Sequence, residues 1–122
     1  ERVWHVVLAS LVAATGLISA ALAPNLMLTM LALSFAAAGI FAVLPPFWTF
    51  VSDSFFGGEA AIAIALVNAI GNLAGFVGPY LVGWIKGSGG SYALALIALA
   101  LGPLFCAGLM LIAKNQSLRA GN

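Results

Sequence analysis

Four long apolar stretches follow one another along the chain, and each is long enough to cross a lipid bilayer. They cover about residues 5–23, 26–51, 60–85 and 91–113, with short turns between them. About 20 apolar residues in a helix span the ~30 Å hydrocarbon core of a membrane. The pattern therefore predicts an all-α integral membrane protein with four transmembrane helices.

Composition agrees with this prediction and excludes several function classes. The 122 residues are 64% hydrophobic and 6% charged, whereas soluble domains carry about 25% charged residues. Four basic residues are too few to neutralise a row of phosphates, so we expect no nucleic-acid partner. The single cysteine, Cys106, gives no disulfide or metal-ligand spacing. We therefore predict the lipid bilayer as a partner, and neither a metal site nor a cofactor.

The first stretch has a competing interpretation as a signal peptide. Arg2 precedes an apolar run that ends in the small residues Ala21 and Ala23. The run is longer than a usual signal core, Pro24 would follow the cleavage site, and three more apolar stretches come after it, so a membrane helix is favoured. The chain starts at Glu1, a few residues before this stretch, and we expect it to be a piece of a longer protein.

An even number of spans puts both termini on the same side of the membrane. Three basic residues, Arg2, Lys114 and Arg119, then lie on the terminal side, and Lys86 lies on the other side. The positive-inside bias predicts that both termini are cytoplasmic. Aromatic residues near the opposite surface are typical of an interfacial belt: Tyr80, Trp84 and Tyr92.

Two prolines interrupt the second stretch, and two asparagines interrupt the third. Pro45-Pro46 remove two backbone donors, which predicts a kinked or unwound helix next to Phe47 and Trp48. In the third stretch, Asn68 and Asn72 lie four residues apart and therefore on one helix face. Amides at membrane depth must be paired by protein or face a wet cavity.

The depth of these residues suggests a shared site. Trp48 lies about seven residues before the span end near Phe55, and Asn68 about eight residues after Ala60, so each is ~10–12 Å from the same loop. Antiparallel neighbours would bring them to one level, where an aromatic ring and two amides suit a polar organic ligand. The alternative is that Asn68 and Asn72 only hydrogen-bond to neighbouring helices.

Small residues on the third stretch predict a packing face. Gly71 and Gly75 form a G-x-x-x-G pair, and Gly78 continues the same face. Such faces let membrane helices approach closely.

Three segments resemble a known family. PPFWTF (45–50), NAIGNLAGFVGPYLVGW (68–84) and SYALAL (91–96) are similar to the last helices of major facilitator superfamily transporters, in particular the anion:cation symporter group. The resemblance implies that the four spans are helices nine to twelve of a twelve-helix fold. It also implies that Trp48 and Asn68 contact substrate, with Phe47 and Asn72 as their neighbours in the site.

The same resemblance implies a function. Bacterial members of this group import sugar acids, tartrate and related organic anions. The resemblance therefore implies that the chain is part of a proton-coupled importer of a small organic anion, located in the bacterial inner membrane. No buried acid, arginine or lysine lies in any of the four spans, so the missing N-terminal helices would have to supply the groups that clamp the anion and move the proton. We expect no transport by this chain alone.

Two other function classes compete with a transporter. A self-contained four-helix membrane scaffold or assembly subunit would use the glycine face for association. A membrane enzyme would need titratable groups close together, whereas His5, Asp53 and Glu59 are few and lie near the membrane edges. We therefore expect that the chain is not an enzyme.

Overall fold

Four α-helices make up nearly all of residues 2–120, the part of the chain that the structure, a computed structural model, describes. They are α1 (Arg2–Leu22), α2 (Leu26–Ser54), α3 (Gly58–Gly87) and α4 (Tyr92–Ala120). All four are long and apolar enough to cross a membrane. The predicted all-α membrane fold with four spanning helices is therefore confirmed. Glu1, on which the expectation of a longer protein rests, lies outside the described residues.

Side-chain caps hold the short turns at the end of the molecule away from the chain termini. The Asn25 side-chain oxygen accepts a hydrogen bond from the Leu28 N–H at 2.9 Å and so caps the start of α2. In the same way the Ser91 hydroxyl accepts from the Leu94 N–H at 3.1 Å near the start of α4. These caps satisfy helix-end donors and let consecutive helices run antiparallel.

Helical structure continues through every proline of α2, α3 and α4. Pro45 and Pro46 lie inside α2, Pro79 inside α3 and Pro103 inside α4. Of the kink or unwinding predicted at Pro45-Pro46, the unwinding is wrong, because a helix that loses two donors keeps its other backbone bonds on both sides of the pair. A kink at this pair stays a prediction. The lost donors leave the carbonyls four residues earlier, at Phe41 and Ala42, without their helical partners.

The buried core belongs to α1, α2 and α4. One cluster joins Val6 and Val7 of α1 to Ala107 and Met110 of α4. A second cluster joins Leu17 of α1, Ala36 of α2 and Ala100 of α4. Because α1 packs closely against both α2 and α4, whereas those two helices scarcely contact each other, α1 is the central helix of this three-helix unit.

Two glycines that the sequence analysis did not single out allow α1 and α2 to approach closely. A Cβ atom added to Gly16 would lie 2.6 Å from the backbone nitrogen of Ala36, and one added to Gly39 would lie 2.5 Å from that of Ala13. Backbone atoms cannot move away as a flexible side chain can. Only glycine therefore fits at these two positions.

The third helix packs least against the others. Ile85, near its end, is its one buried residue among those described. Large apolar side chains along the rest of α3 are exposed, including Ile62, Leu73 and Phe76. Most of the α3 surface is thus available to lipid or to further protein.

Polar contacts join three helices at the end of the molecule that carries both chain termini. Arg2 at the start of α1 forms an ion pair with Asp53 near the end of α2. The Lys114 ammonium lies 4.5 Å from the centre of the Trp4 ring, which links α4 to α1. Both described termini and the α2–α3 turn therefore lie at one end, as expected for four antiparallel spans.

Candidate substrate-binding surface

The aromatic pair predicted for the site lies on α2, close to the end with the chain termini. The rings of Phe47 and Trp48 meet edge to face, with centroids 5.7 Å apart and planes at 67°. Both side chains are partly buried. Next to them the Thr49 hydroxyl donates to the Pro45 carbonyl at 2.8 Å, so this hydroxyl is used within the helix. The pair offers a ring surface and, on Trp48, one indole N–H donor.

The two amides lie on α3 and are exposed. Asn68 and Asn72 form no side-chain hydrogen bond with any other residue that the structure describes. An amide carries two donors and one acceptor oxygen with two lone pairs. Both side chains can therefore bind groups that come from outside this chain, either a ligand or another helix.

The observed helix ends place the two pairs at slightly different depths. Trp48 lies six residues before Ser54, which is ~9 Å along α2, and Asn68 lies ten residues after Gly58, which is ~15 Å along α3. The difference is about one helical turn, and Asn72 is one turn deeper again. No hydrogen bond joins the amides to the aromatic pair within residues 2–120. A shared site of all four residues stays a prediction.

The glycine face of α3 has no neighbour within the described chain. A Cβ atom added at Gly71, Gly75 or Gly78 would meet nothing within 4 Å. Helix packing at these glycines also stays a prediction, and it would require a helix that is not among these four. Gly16 and Gly39 differ in this respect, because each already lies against the backbone of a neighbouring helix within this chain.

Ionised groups lie at the ends of the helices. Asp53 pairs with Arg2, and Glu59 is exposed in the first turn of α3, where it interacts favourably with the positive end of the helix dipole. Within the described residues, no three His, Cys, Asp or Glu side chains group together as metal ligands do. The predicted site residues therefore offer two aromatic rings, the Trp48 indole N–H and two amides.

Sequence reasoning passed over one buried polar group. The Ser10 side chain is 1% exposed, and its hydroxyl has no hydrogen-bond partner among the described residues. It lines a cavity of about 210 Å³ between α1, α2 and α4, together with Pro103 and Cys106. The apolar run of α1 contains three hydroxyl side chains, Ser10, Thr15 and Ser19, and nothing in the sequence distinguishes Ser10 from the other two.

Comparison with known proteins finds transporters. The chain is 44% and 42% identical to two proteins of Agrobacterium vitis named as candidate tartrate transporters, in both cases over 97% of its own length. It is 39% identical over 61% of its length to a quinolone resistance transporter of Acinetobacter baumannii. It is 30% identical over 79% of its length to a candidate metabolite transport protein of Pseudomonas putida.

The chain spans about a quarter of the length of the tartrate-named relatives, 25% and 26%. No protein-family model and no solved structure matches it. These relatives have transporter names rather than enzyme names, in agreement with the expectation that the chain is not an enzyme. The resemblance to transport proteins is therefore confirmed over nearly the whole chain.

Proposed function

We propose that this chain is the C-terminal third of a twelve-helix secondary active transporter of the major facilitator type. Its substrate is a small organic anion such as tartrate or a sugar acid, which it imports together with protons across the bacterial inner membrane. The observation that carries the proposal is the 42–44% identity to the tartrate-named relatives over 97% of the chain. Four apolar helices in about a quarter of a relative's length agree with such a fold.

The proposed site uses α2 and α3. Trp48, supported by Phe47, shapes one wall of the cavity and stacks on the substrate, while Asn68 and Asn72 hydrogen-bond to its hydroxyl groups. Two features support these roles: the edge-to-face aromatic pair on α2 and two exposed amides without partners in the described chain. Substrate sites near the bilayer midplane, formed between the repeats of the fold, are common in secondary transporters.

The remaining parts of the mechanism lie in the missing N-terminal helices of the same transporter. Inside its membrane spans, the described chain has neither a cation to hold an anionic substrate nor a carboxylate to carry a proton. The N-terminal helices supply both. In the intact protein, both ends of this segment face the cytoplasm, because three of its four basic residues lie at that end.

Uptake of labelled tartrate by cells that produce the intact transporter tests this proposal. We expect Asn68→Ala to lower the initial rate about 3- to 10-fold at low substrate concentration, since one hydrogen bond contributes roughly 0.5–1.5 kcal/mol. Asn115→Ala is the matched control, because Asn115 is exposed on α4 outside the predicted span and should not change the rate. Uptake by Asn68→Ala equal to the control, at equal protein level, would remove Asn68 from the site.

A further inference from the structure

A groove between α3 and α4 opens at the end of the molecule opposite the chain termini. It has a volume of about 570 Å³. Lys86 and Tyr92 lie at its mouth, beside the α3–α4 turn, and its apolar lining includes Gly78, Val82, Gly83 and Leu99. None of these residues belongs to the proposed substrate site, and only Gly78, at the inner end of the groove, is shared with the predicted packing face of α3.

The mouth of the groove carries an uncompensated positive charge. The Lys86 ammonium lies 4.5 Å from the centre of the Tyr92 ring, and a cation over a ring keeps donors free for an anion. Asp53 and Glu59 both lie at the opposite end of the molecule, near the α2–α3 turn. Lys86 is therefore the one ionised side chain at this end of the described helices.

The body of the groove is apolar and runs into the membrane. From Lys86 to Gly78 it follows two turns of α3, which is ~12 Å along the axis. Nothing lies within 4 Å of a Cβ atom added at Gly78 or Gly83, so the glycines leave the channel open. A small polar anion would find a cation at the mouth but no hydrogen-bonding side chain further in.

We propose that this groove binds an anionic phospholipid. The lipid phosphate pairs with Lys86, the headgroup region contacts Tyr92, and one acyl chain lies along the apolar channel past Gly83. Basic pockets between transmembrane helices bind acidic lipid headgroups at the cytoplasmic side of membranes. The same pairing of a cation with a lipid phosphate is proposed here at the opposite side, at the interfacial level that aromatic residues such as Tyr92 favour. The combination of one cation with an apolar channel selects a lipid rather than a soluble anion.

Photo-crosslinking in the intact protein tests the site directly. The protein is reconstituted in vesicles of phosphatidylcholine with a small fraction of phosphatidylglycerol that carries a diazirine on one acyl chain. Mass spectrometry of peptides then locates the crosslinks. We expect labelling of residues 78–99, and at least fivefold less labelling when the same diazirine is carried by phosphatidylcholine.

Matched variants distinguish the contribution of the lipid headgroup from that of the acyl chain. Lys86→Gln should lower phosphatidylglycerol labelling of this segment at least fivefold, whereas Arg119→Gln, which removes a charge at the other end, should not. Gly83→Leu fills the channel from a position where an added Cβ atom meets nothing within 4 Å, and it should also lower labelling. Gly108→Leu, at a position on α4 outside the groove where an added Cβ atom is likewise without a neighbour within 4 Å, should not.

Three results would overturn the proposal. The first is absence of labelling in residues 78–99, which would mean that protein rather than lipid fills the groove. The second is equal labelling by the two lipid classes in the unchanged protein. The third is full displacement of the lipid by millimolar glycerol phosphate together with no effect of Gly83→Leu, because the site would then recognise only the phosphate.

Discussion

At the scale of single residues, the packing of this segment depends most on two glycines. Gly16 and Gly39 lie where α1 and α2 are closest, and a Cβ atom at either would come within 2.7 Å of backbone atoms of the facing helix. The sequence contained a signal for this contact, since Ala13 and Gly16 on one helix face Ala36 and Gly39 on the other. The signal was hard to see because small residues are frequent throughout α1 and α2.

Gly39→Ala should therefore destabilise the protein although alanine favours helices. The extra methyl group meets the Ala13 backbone at 2.5 Å, and overpacking of this kind costs about 1–3 kcal/mol. Thermal unfolding of the purified intact protein in detergent would show a lower midpoint temperature. Gly108→Ala is the control, because nothing lies within 4 Å of the added Cβ atom and the helix gains up to ~1 kcal/mol. A Gly39→Ala protein as stable as Gly108→Ala would contradict the close approach.

The residues proposed to bind substrate show what sequence can and cannot predict at this scale. Trp48 and Asn68 were selected because aromatic and amide side chains at membrane depth need a reason to be there. Their relative depth was predicted to within about one helical turn. Whether they meet could not be predicted, because the sequence does not say which helices lie side by side, and the two amides have no partner among the described residues.

At the scale of helices, hydropathy predicted four elements but not all of their ends. The fourth span was expected to end near residue 113, whereas α4 continues to Ala120. A membrane span ends where polar side chains begin, but backbone hydrogen bonds continue through residues such as Lys114 and Gln116. For the same reason α2 continues through Pro45-Pro46: two backbone donors are lost there, but the remaining backbone hydrogen bonds hold the helix.

The neighbours of each helix were beyond the reach of the sequence. Nearly every face of these helices is apolar, so the sequence does not distinguish a face that contacts lipid from one that packs against another helix. The structure joins α1, α2 and α4 in one core and leaves α3 largely exposed. The most exposed helix, α3, is the one that carries Asn68, Asn72 and the G-x-x-x-G pair.

This arrangement leads to a prediction for α3. If Gly71, Gly75 and Gly78 pack against a helix outside this chain, Gly75→Leu should lower the monodisperse fraction of the intact transporter on size-exclusion chromatography by at least half. Close backbone approach at small residues leaves no room for the larger side chain. Ala74→Leu, at the preceding and also exposed position of α3, should change the monodisperse fraction little. Equal behaviour of the two variants would mean that the glycine face does not pack against protein.

At the scale of the whole molecule, the chain has the features of a part rather than a complete transporter. Its four helices correspond to about a quarter of the length of the tartrate-named relatives. One of its helices is mostly uncovered, and no ionised side chain lies deep in its described spans. The alternative class, a self-contained four-helix scaffold, would require that this segment is the whole native protein.

The mass of the native polypeptide tests this account most directly. Protein extracted from its own membrane is detected through an antibody to residues 114–122 and sized under denaturing conditions. Since 12.4 kDa corresponds to 25% of a relative's length, we expect a chain of roughly 50 kDa. A native chain near 12.4 kDa would contradict the account, because the helices that complete the transporter would not exist in the same polypeptide.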